Sequence, residues 1–489
     1  MNRNGNRNGD GNGGRAALAN GLRNGDGREL VVLGAGESGV GAALCGLRAG
    51  WRPWVTDRGE VRADRLAFLR DAGVEVEAGG HDSARVLASG RAAGVVVKSP
   101  GIPETAPLIV QLREAGVAVI SEIELAAACC DASTPVVAIT GSNGKTTTTA
   151  LTGRLFADAG WSTNVAGNIG RSWAATVHQP ADVHVIEVSS FQLDGVVTFR
   201  PDIAILLNIT PDHLDRYGYD FEQYADAKWR ITACQTPADT LILNVDCEAS
   251  LAAWERHGTQ ARIAAISTEL EPEAIRERWG DRVWSVAGIT ENKQQFTIQI
   301  PEKPAFTMTI QELALQGKHN LHNSMASSVA ARVLDLRKEG IRESLQQFDG
   351  IEHRMEFVQE VNGIRFINDS KATNVNSAWF ALESVSGPVI WIAGGIDKGN
   401  DYTSLHHLVD EKVDHLICLG KDNARLISEF SSRVDSIHEA GSAAEAVAQA
   451  YNLGMPGTTV LLSPACASFD LFGNYEERGH AFKSAVKAL

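Results

Sequence analysis

The chain has 489 residues, 44% of them hydrophobic and 21% charged, which supplies material for several cores and excludes a wholly disordered protein. Against 60 Asp plus Glu stand 45 Lys plus Arg, and the resulting formal charge of −15 excludes a general nucleic-acid binder, which needs a basic footprint. No apolar stretch is long enough to predict a membrane span, and the cysteines form no CxxC pair and no Cys/His cluster along the sequence, which points to a reducing cytosol and no zinc site.

Residues 1–28 stand apart: seven Asn, eight Gly and five Arg against two Asp make them positively charged and poor in apolar side chains. Such a composition predicts a disordered tail, without the apolar core of a signal peptide. Order is predicted from residue 29, where the apolar run 30–33 ends in Gly-Ala-Gly and a helical stretch follows. Further runs at 54–56, 74–76, 94–97 and 117–120 alternate with helical stretches, which predicts a parallel α/β unit. A second unit begins near residue 134 with runs at 136–139, 183–188, 203–207 and 241–244. Its segment 293–315 has the β-branched alternation and Pro interruption of a hairpin. Runs at 364–367, 389–393, 416–420 and 460–463 predict a third unit. The expected fold is therefore α/β with three domains over residues 29–125, 126–350 and 351–489. The first and last are Rossmann-like, and the central one resembles a P-loop ATPase with a mostly parallel sheet.

Gly34-Ala-Gly36-Glu-Ser-Gly39, with Asp57 ending the next strand, fits a diphosphate-binding turn at a helix N-terminus. It suits NAD or a UDP-linked ligand equally, and a tight turn with no ligand is the plain alternative. Gly141-Ser142-Asn143-Gly144-Lys145-Thr146-Thr147 follows a strand and precedes a helix, as a phosphate loop does, in a GxxGK[ST]T form shorter than GxxxxGK[ST]. Its backbone amides suit phosphates, Lys145 the β/γ oxygens and the Thr146 hydroxyl Mg²⁺. Glu187 interrupts an apolar run, where a carboxylate is costly to bury unless paired or metal-bound, and is a Mg²⁺-ligand candidate. His213 follows the next apolar run on the same strand-end side. Lys228, by contrast, reads locally as an ordinary solvated helix lysine. Three polar loops, 368–374, 394–399 and 463–468, follow strands of the last unit and predict a binding edge. The pair His353-Arg354 suits a phosphate or a plain surface position.

The segments TGSNGKTTT, EVSSFQL, NITPDHLDRY, ADAKWRI, GKHNLHN, GIEHRME, INDSKATN, GGIDKG and LSPACASFD occur in the order found in the Mur ligases, which the chain resembles over about residues 30–489. NDSKATN stands where relatives that add other amino acids usually carry a DYAH-like sequence, and no DNPR-type motif occurs, so the resemblance is to the D-glutamate-adding branch. It implies ATP-dependent ligation of D-glutamate to UDP-N-acetylmuramoyl-L-alanine through an acyl phosphate. This would be a cytoplasmic step of peptidoglycan precursor synthesis, carried out by a monomer with two Mg²⁺. It implies further that Ser38, Asp57, Arg58, Ser99, Gly101, Asn168 and Gln192 hold the UDP substrate. Gly141 to Thr147, Asn320, Arg354 and Asp369 would serve ATP, with Lys371 among the catalytic residues. Thr146, Glu187, His213 and Lys228 would be metal ligands, Lys228 after carbamylation by CO₂. Thr373, Lys398, Ser468 and Tyr475, which stands where the family often has Phe, would bind D-glutamate. A folate polyglutamylating relative, an NAD-dependent oxidoreductase and an inactive binding module are the competing readings. The first lacks a UDP-binding domain of this kind, and the second leaves the phosphate loop, Glu187 and His213 without a task. The third makes Lys145 and Lys228 incidental.

Overall fold

The short apolar runs become strands and the intervening stretches helices, in a computed structural model that describes residues 11–489 apart from Ile169, Gln316, Asp349, Ile351, Ser386 and Lys398. Among the described residues the strands form sheets of five, nine and six. By contact the chain divides into two units, one comprising residues up to Leu313 with Asn320–Phe348, the other Ala314–His319 with the chain from Asp349 to Leu489.

The first unit holds two sheets. Strands β1 (Glu29–Leu33), β2 (Arg52–Asp57), β3 (Glu75–Ala78), β4 (Val95–Lys98) and β5 (Ala118–Ile120) lie in the order β3-β2-β1-β4-β5, and every neighbouring pair is parallel. The order reverses beside β1, the place where open α/β sheets bind ligands. The nine-stranded sheet contains β6 (Val136–Thr140), β7 (Thr163–Gly167), β8 (Val183–Glu187), β9 (Ile203–Leu206), β10 (Thr240–Asn244), β11 (Arg262–Ile266) and β12 (Ser285–Ile289). It is completed by β13 (Gln295–Gln299) and β14 (Phe306–Thr309), in the order β14-β13-β12-β11-β10-β9-β6-β8-β7. Strands β12, β13 and β14 pair antiparallel, so the predicted hairpin is present. Helix Glu122–Cys129 runs across the sequence boundary at 125/126.

One expectation is corrected here. Within the predicted disordered tail, Gly11–Arg23 is a helix, and Leu22 is fully buried. Trp51 Nε1 donates to Leu22 O at 3.0 Å, and the Arg28 guanidinium lies 4.5 Å from the Trp51 ring centroid. Asn and Gly dominate the average composition, but the local run Ala16-Ala17-Leu18-Ala19 favours a helix, and Leu22 gains burial that offsets its ordering entropy. Residues 1–10 lie outside the described residues.

The second unit is built on β15 (Glu356–Val361), β16 (Ile364–Asn368), β17 (Val389–Ala393), β18 (Val413–Leu419), β19 (Ser436–Ala440) and β20 (Thr459–Leu462), in the order β15-β16-β20-β17-β18-β19. Central β17 is buried on both faces: Val389, Trp391 and Ala393 enter one core cluster and Ile390 and Ile392 the other, as a period of two requires. The antiparallel edge strand β15 has no apolar run in its sequence, which is why composition gave no sign of it.

Candidate active site

In the nine-stranded sheet of the first unit, β6 is an interior strand, flanked by β9 and β8. Its registers pair Ile139 with Glu187 and Thr140 with Leu206, so the phosphate loop leaves the sheet beside the ends of both neighbours. Gly144, with φ +81°, starts helix Lys145–Asp158, and a Cβ there would lie 2.5 Å from Asn323 Oδ1; only glycine fits. Asn143 N donates to Asn208 Oδ1 at 2.9 Å, and Ser142 Oγ lies 2.9 Å from the Tyr224 hydroxyl, so both flanks of the loop are fastened. Thr146 and Thr147 are buried in the first helical turn. Asn320 lies on helix Lys318–Val333, one turn before Asn323, whose amide donates to Asn320 Oδ1 at 3.3 Å.

Lys228 overturns its local reading as a solvated lysine. Its side chain is 2% exposed and its Nζ donates to Gly141 O at 2.8 Å. Asp220 caps the helix Phe221–Trp229 that carries it, and the adjacent Tyr224 ring lies 4.7 Å from the ammonium. Lys145 Nζ also donates to Gly141 O at 2.8 Å, so the two ammonium groups are at most twice 2.8 Å apart. Burial, then the neighbouring Lys145 charge, hold the Lys228 amine well below its usual range.

Glu187 is also buried. Its Oε1 accepts from Asn168 Nδ2 at 2.8 Å, while Oε2, equally enclosed, has no hydrogen-bond partner among the described residues. An unpartnered carboxylate oxygen beside a phosphate loop fits a hard cation, and with the Thr146 hydroxyl it gives oxygen donors of the kind Mg²⁺ takes. His213 is half-exposed, with φ +52°, its Nε2 3.5 Å from Asp212 Oδ2 and its ring against Phe191.

Of the residues expected to hold a UDP substrate, Ser38, Asp57 and Ser99 lie at the turn after β1. Gly34 has φ +96° and a Cβ there would lie 2.6 Å from Ser99 Oγ, while a Cβ on Gly39 would lie 1.8 Å from Gly34 O. Asp57 Oδ2 accepts from Ala35 N at 2.7 Å and Oδ1 from Gly59 N at 2.9 Å, so this acid braces the turn itself. Ser38 is half-buried in the first turn of helix Glu37–Arg48, and Arg58 is exposed. The Ser99 turn is tied to the second sheet, because Arg216 donates to Pro100 O at 3.1 Å and to Gly101 O at 3.5 Å. Gln192 closes a capping box with Ser189 and donates to Glu122 Oε1 at 3.2 Å. Full burial pushes the Glu122 carboxyl up to about 7, even though Ala174 N donates to it at 3.1 Å.

In the second unit the three polar loops converge on a residue that sequence reading missed. Arg478, 1% exposed, donates to Ser370 Oγ at 3.0 Å and Ser370 O at 2.9 Å. It also reaches Gly394 O at 3.3 Å and Cys466 O at 3.3 Å, so one guanidinium ties together the loops 368–374, 394–399 and 463–468. Nothing local in Tyr475-Glu-Glu-Arg478 marks this; the segment reads as a solvated helix start. Asp369 is buried, accepting from Ser463 Oγ at 3.0 Å and Met355 N at 3.2 Å; burial raises its carboxyl to about 6 against the opposing charge of Arg354. Arg354 Nε is buried with no partner among the described residues. The Lys371 ammonium lies 5.3 Å from the Tyr475 ring, Ser468 is buried and Thr373 is exposed. Lys398 lies outside the described residues.

A phosphate loop with a buried second lysine and an unpartnered carboxylate can bind a nucleotide and a cation, and comparison with known proteins agrees. Residues 139–331 match the Mur ligase middle domain and residues 353–466 the Mur ligase glutamate ligase domain. A UDP-N-acetylmuramoylalanine–D-glutamate ligase of Christiangramia forsetii is 44% identical over 465 residues, 95% of this chain and 100% of that protein. The protein of the same name from Porphyromonas gingivalis strain W83 is 46% identical over 463 residues, 94% of this chain and 99% of the relative. Among solved structures, a UDP-N-acetylmuramate-alanine ligase from Thermotoga maritima shares the fold with TM-score 0.57 at 17% identity, covering 94% of this chain and 99% of that one. A pseudomurein peptide ligase type C from Methanothermus fervidus also has TM-score 0.57, at 18% identity and with coverage of 94% and 99%. With relatives this similar along nearly its whole length, the chain belongs to the Mur ligase family.

Proposed function

We propose that this chain joins D-glutamate to UDP-N-acetylmuramoyl-L-alanine at the expense of ATP, in the cytoplasm, as a step of peptidoglycan precursor synthesis. The supporting observation is likeness at 44–46% identity, over 94% or more of the chain, to ligases named for that reaction. The phosphate loop, with Lys145 and Lys228 on one carbonyl, supplies the matching chemistry.

A carboxylate is a poor electrophile, so the γ-phosphoryl group passes from ATP to the L-alanyl carboxylate oxygen, giving an acyl phosphate and ADP. The D-glutamate amine then attacks the carbonyl carbon and loses a proton. The tetrahedral intermediate collapses with departure of phosphate. Every reactant is anionic, so charge must be neutralised where it develops. The phosphate-loop amides and Lys145 cradle the nucleotide, helped by Asn320, Arg354 and Asp369. Ser38, Asp57, Arg58, Ser99, Gly101, Asn168 and Gln192 orient the UDP substrate, and Thr373, Lys398, Ser468 and Tyr475 hold D-glutamate. Lys371 completes the catalytic set. Thr146, Glu187, His213 and Lys228 would hold two Mg²⁺, which supply neutralisation of phosphate charge. Were both amines on Gly141 O protonated, they would repel by about 3 kcal/mol at an effective dielectric of about 20, which adds to burial in favouring the neutral Lys228 amine. The neutral Lys228 amine can attack the carbon of CO₂ and release a proton to solvent, giving a carbamate whose negative charge faces the Lys145 ammonium and supplies a metal ligand.

The test is phosphate release by the purified chain with ATP, Mg²⁺ and UDP-N-acetylmuramoyl-L-alanine. Release that requires D-glutamate and is not supported by L-glutamate is expected. Release independent of D-glutamate, or equal turnover with the L enantiomer, overturns the reading.

A further inference from the structure

Folding gathers two cysteines and a histidine that are far apart in sequence. Cys45 lies on helix Glu37–Arg48, Cys129 ends helix Glu122–Cys129, and His178 follows helix Trp173–Thr176. Their ligand atoms lie within 4.8 Å of one another, and Cys45 Sγ is 3.8 Å from His178 Nε2. Around a tetrahedral zinc ion, with metal–sulfur bonds of about 2.3 Å and metal–nitrogen bonds of about 2.0–2.1 Å, a sulfur and a nitrogen ligand stand roughly 3.6 Å apart. The observed pair needs only a few tenths of an ångström of adjustment.

We propose that Cys45, Cys129 and His178 form a binding site for a soft divalent cation of the Zn²⁺ class, with its fourth position open to water. The donor set decides the class. Two thiolates and an imidazole select Zn²⁺ over the hard, oxygen-seeking Mg²⁺, so this site does not compete with the one at Glu187. Binding forms two sulfur–metal bonds and one nitrogen–metal bond, and each thiol releases its proton to solvent. The two thiolates balance the charge of the ion. In the metal-free chain the hydrogen bond with Cys45 lowers the pKa of the Cys129 thiol, while the same hydrogen bond and burial hold the Cys45 thiol well above its usual range, so the ion must displace that proton on binding. Burial is graded from exposed His178 through half-buried Cys129 to buried Cys45, which gives an ion a way in from the surface. The three residues sit on the segments that carry Ser38, Glu122 and, just upstream of His178, Asn168. A bound ion would staple these segments together. The inference stands independently of the ligase reading.

The experiment uses the full chain, reduced, stripped with a chelator and titrated with Co²⁺ in excess Mg²⁺. Expected is a near-ultraviolet thiolate-to-cobalt charge-transfer band that saturates at one ion per chain and is displaced by Zn²⁺. Zn²⁺ is expected to raise the melting temperature. The band is expected to vanish in Cys129→Ser and in His178→Ala and to survive in Cys234→Ser. His178 is exposed, so its variant tests the ligand set without disturbing the core, and unchanged far-ultraviolet circular dichroism verifies its fold. Absence of the band, its survival in either His178→Ala or Cys129→Ser, or a Cys45–Cys129 disulfide that persists under thiol reductant and blocks uptake overturns the proposal.

Discussion

Replacing Arg478 with Met retains an unbranched chain of similar length and removes the donors that join three loops. Ser370 O, Gly394 O and Cys466 O then lose their guanidinium partner inside the second unit. A buried acceptor left without its donor costs about 1–3 kcal/mol. Relief from burying a guanidinium, whose pKa burial lowers to about 10, offsets part of this, for a net loss of about 3 kcal/mol. For a unit of roughly 150 residues, that corresponds to a melting shift of about 6–12 °C. The same loops carry Asp369, Lys371, Thr373 and Ser468, so the KM for D-glutamate should rise by about tenfold, equivalent to about 1.4 kcal/mol, while KM for the UDP substrate changes little. Calorimetry and steady-state kinetics read the two effects, and Arg478→Lys, which keeps the charge but not the planar fork, should fall between. An Arg478→Met protein with unchanged melting and unchanged KM for D-glutamate would refute the reasoning.

Lys228→Ala should abolish turnover, and an added short carboxylate or bicarbonate should restore a fraction of it; full activity without rescue removes the carbamate. Glu122→Gln tests a buried acid outside the reacting groups. A folded-state pKa raised to about 7 means that the folded chain binds the proton more tightly than the unfolded one, so stability is greatest below pH 4.5 and falls as the pH rises through 7. Denaturant titrations should therefore show the variant more stable than its parent at pH 8, by up to about 3 kcal/mol, and without that advantage at pH 4. Gly144→Ala forces a Cβ within 2.5 Å of Asn323 Oδ1 at a φ of +81°, and calorimetric ATP affinity should drop by about tenfold or more.

What was legible in the sequence was local. Gly141 to Thr147 announces itself because the chemistry resides in the backbone of one turn between an apolar strand and a helix. The alternation of apolar runs likewise foretold the parallel sheets and the hairpin of β13 and β14. Lys228 and Arg478 were opaque for the opposite reason. Each sits in a helix of polar appearance, and burial comes only when distant loops close over it. The resemblance to a family singled out Lys228, while nothing pointed to Arg478. Cys45, Cys129 and His178 are likewise brought together only by helix packing. The helix Gly11–Arg23 was hidden by an average taken over all 28 tail residues, when Leu22 and a short alanine-rich run sufficed to anchor it.

The central claim is that the chain activates the L-alanyl carboxylate by phosphorylation and lets the D-glutamate amine displace the phosphate. Substrate carrying ¹⁸O in that carboxylate tests this most directly. Turnover with ATP and D-glutamate is predicted to deliver one labelled oxygen to each inorganic phosphate, with the amide formed in equal amount. Phosphate released without label, or amide formed without phosphate, would contradict the account.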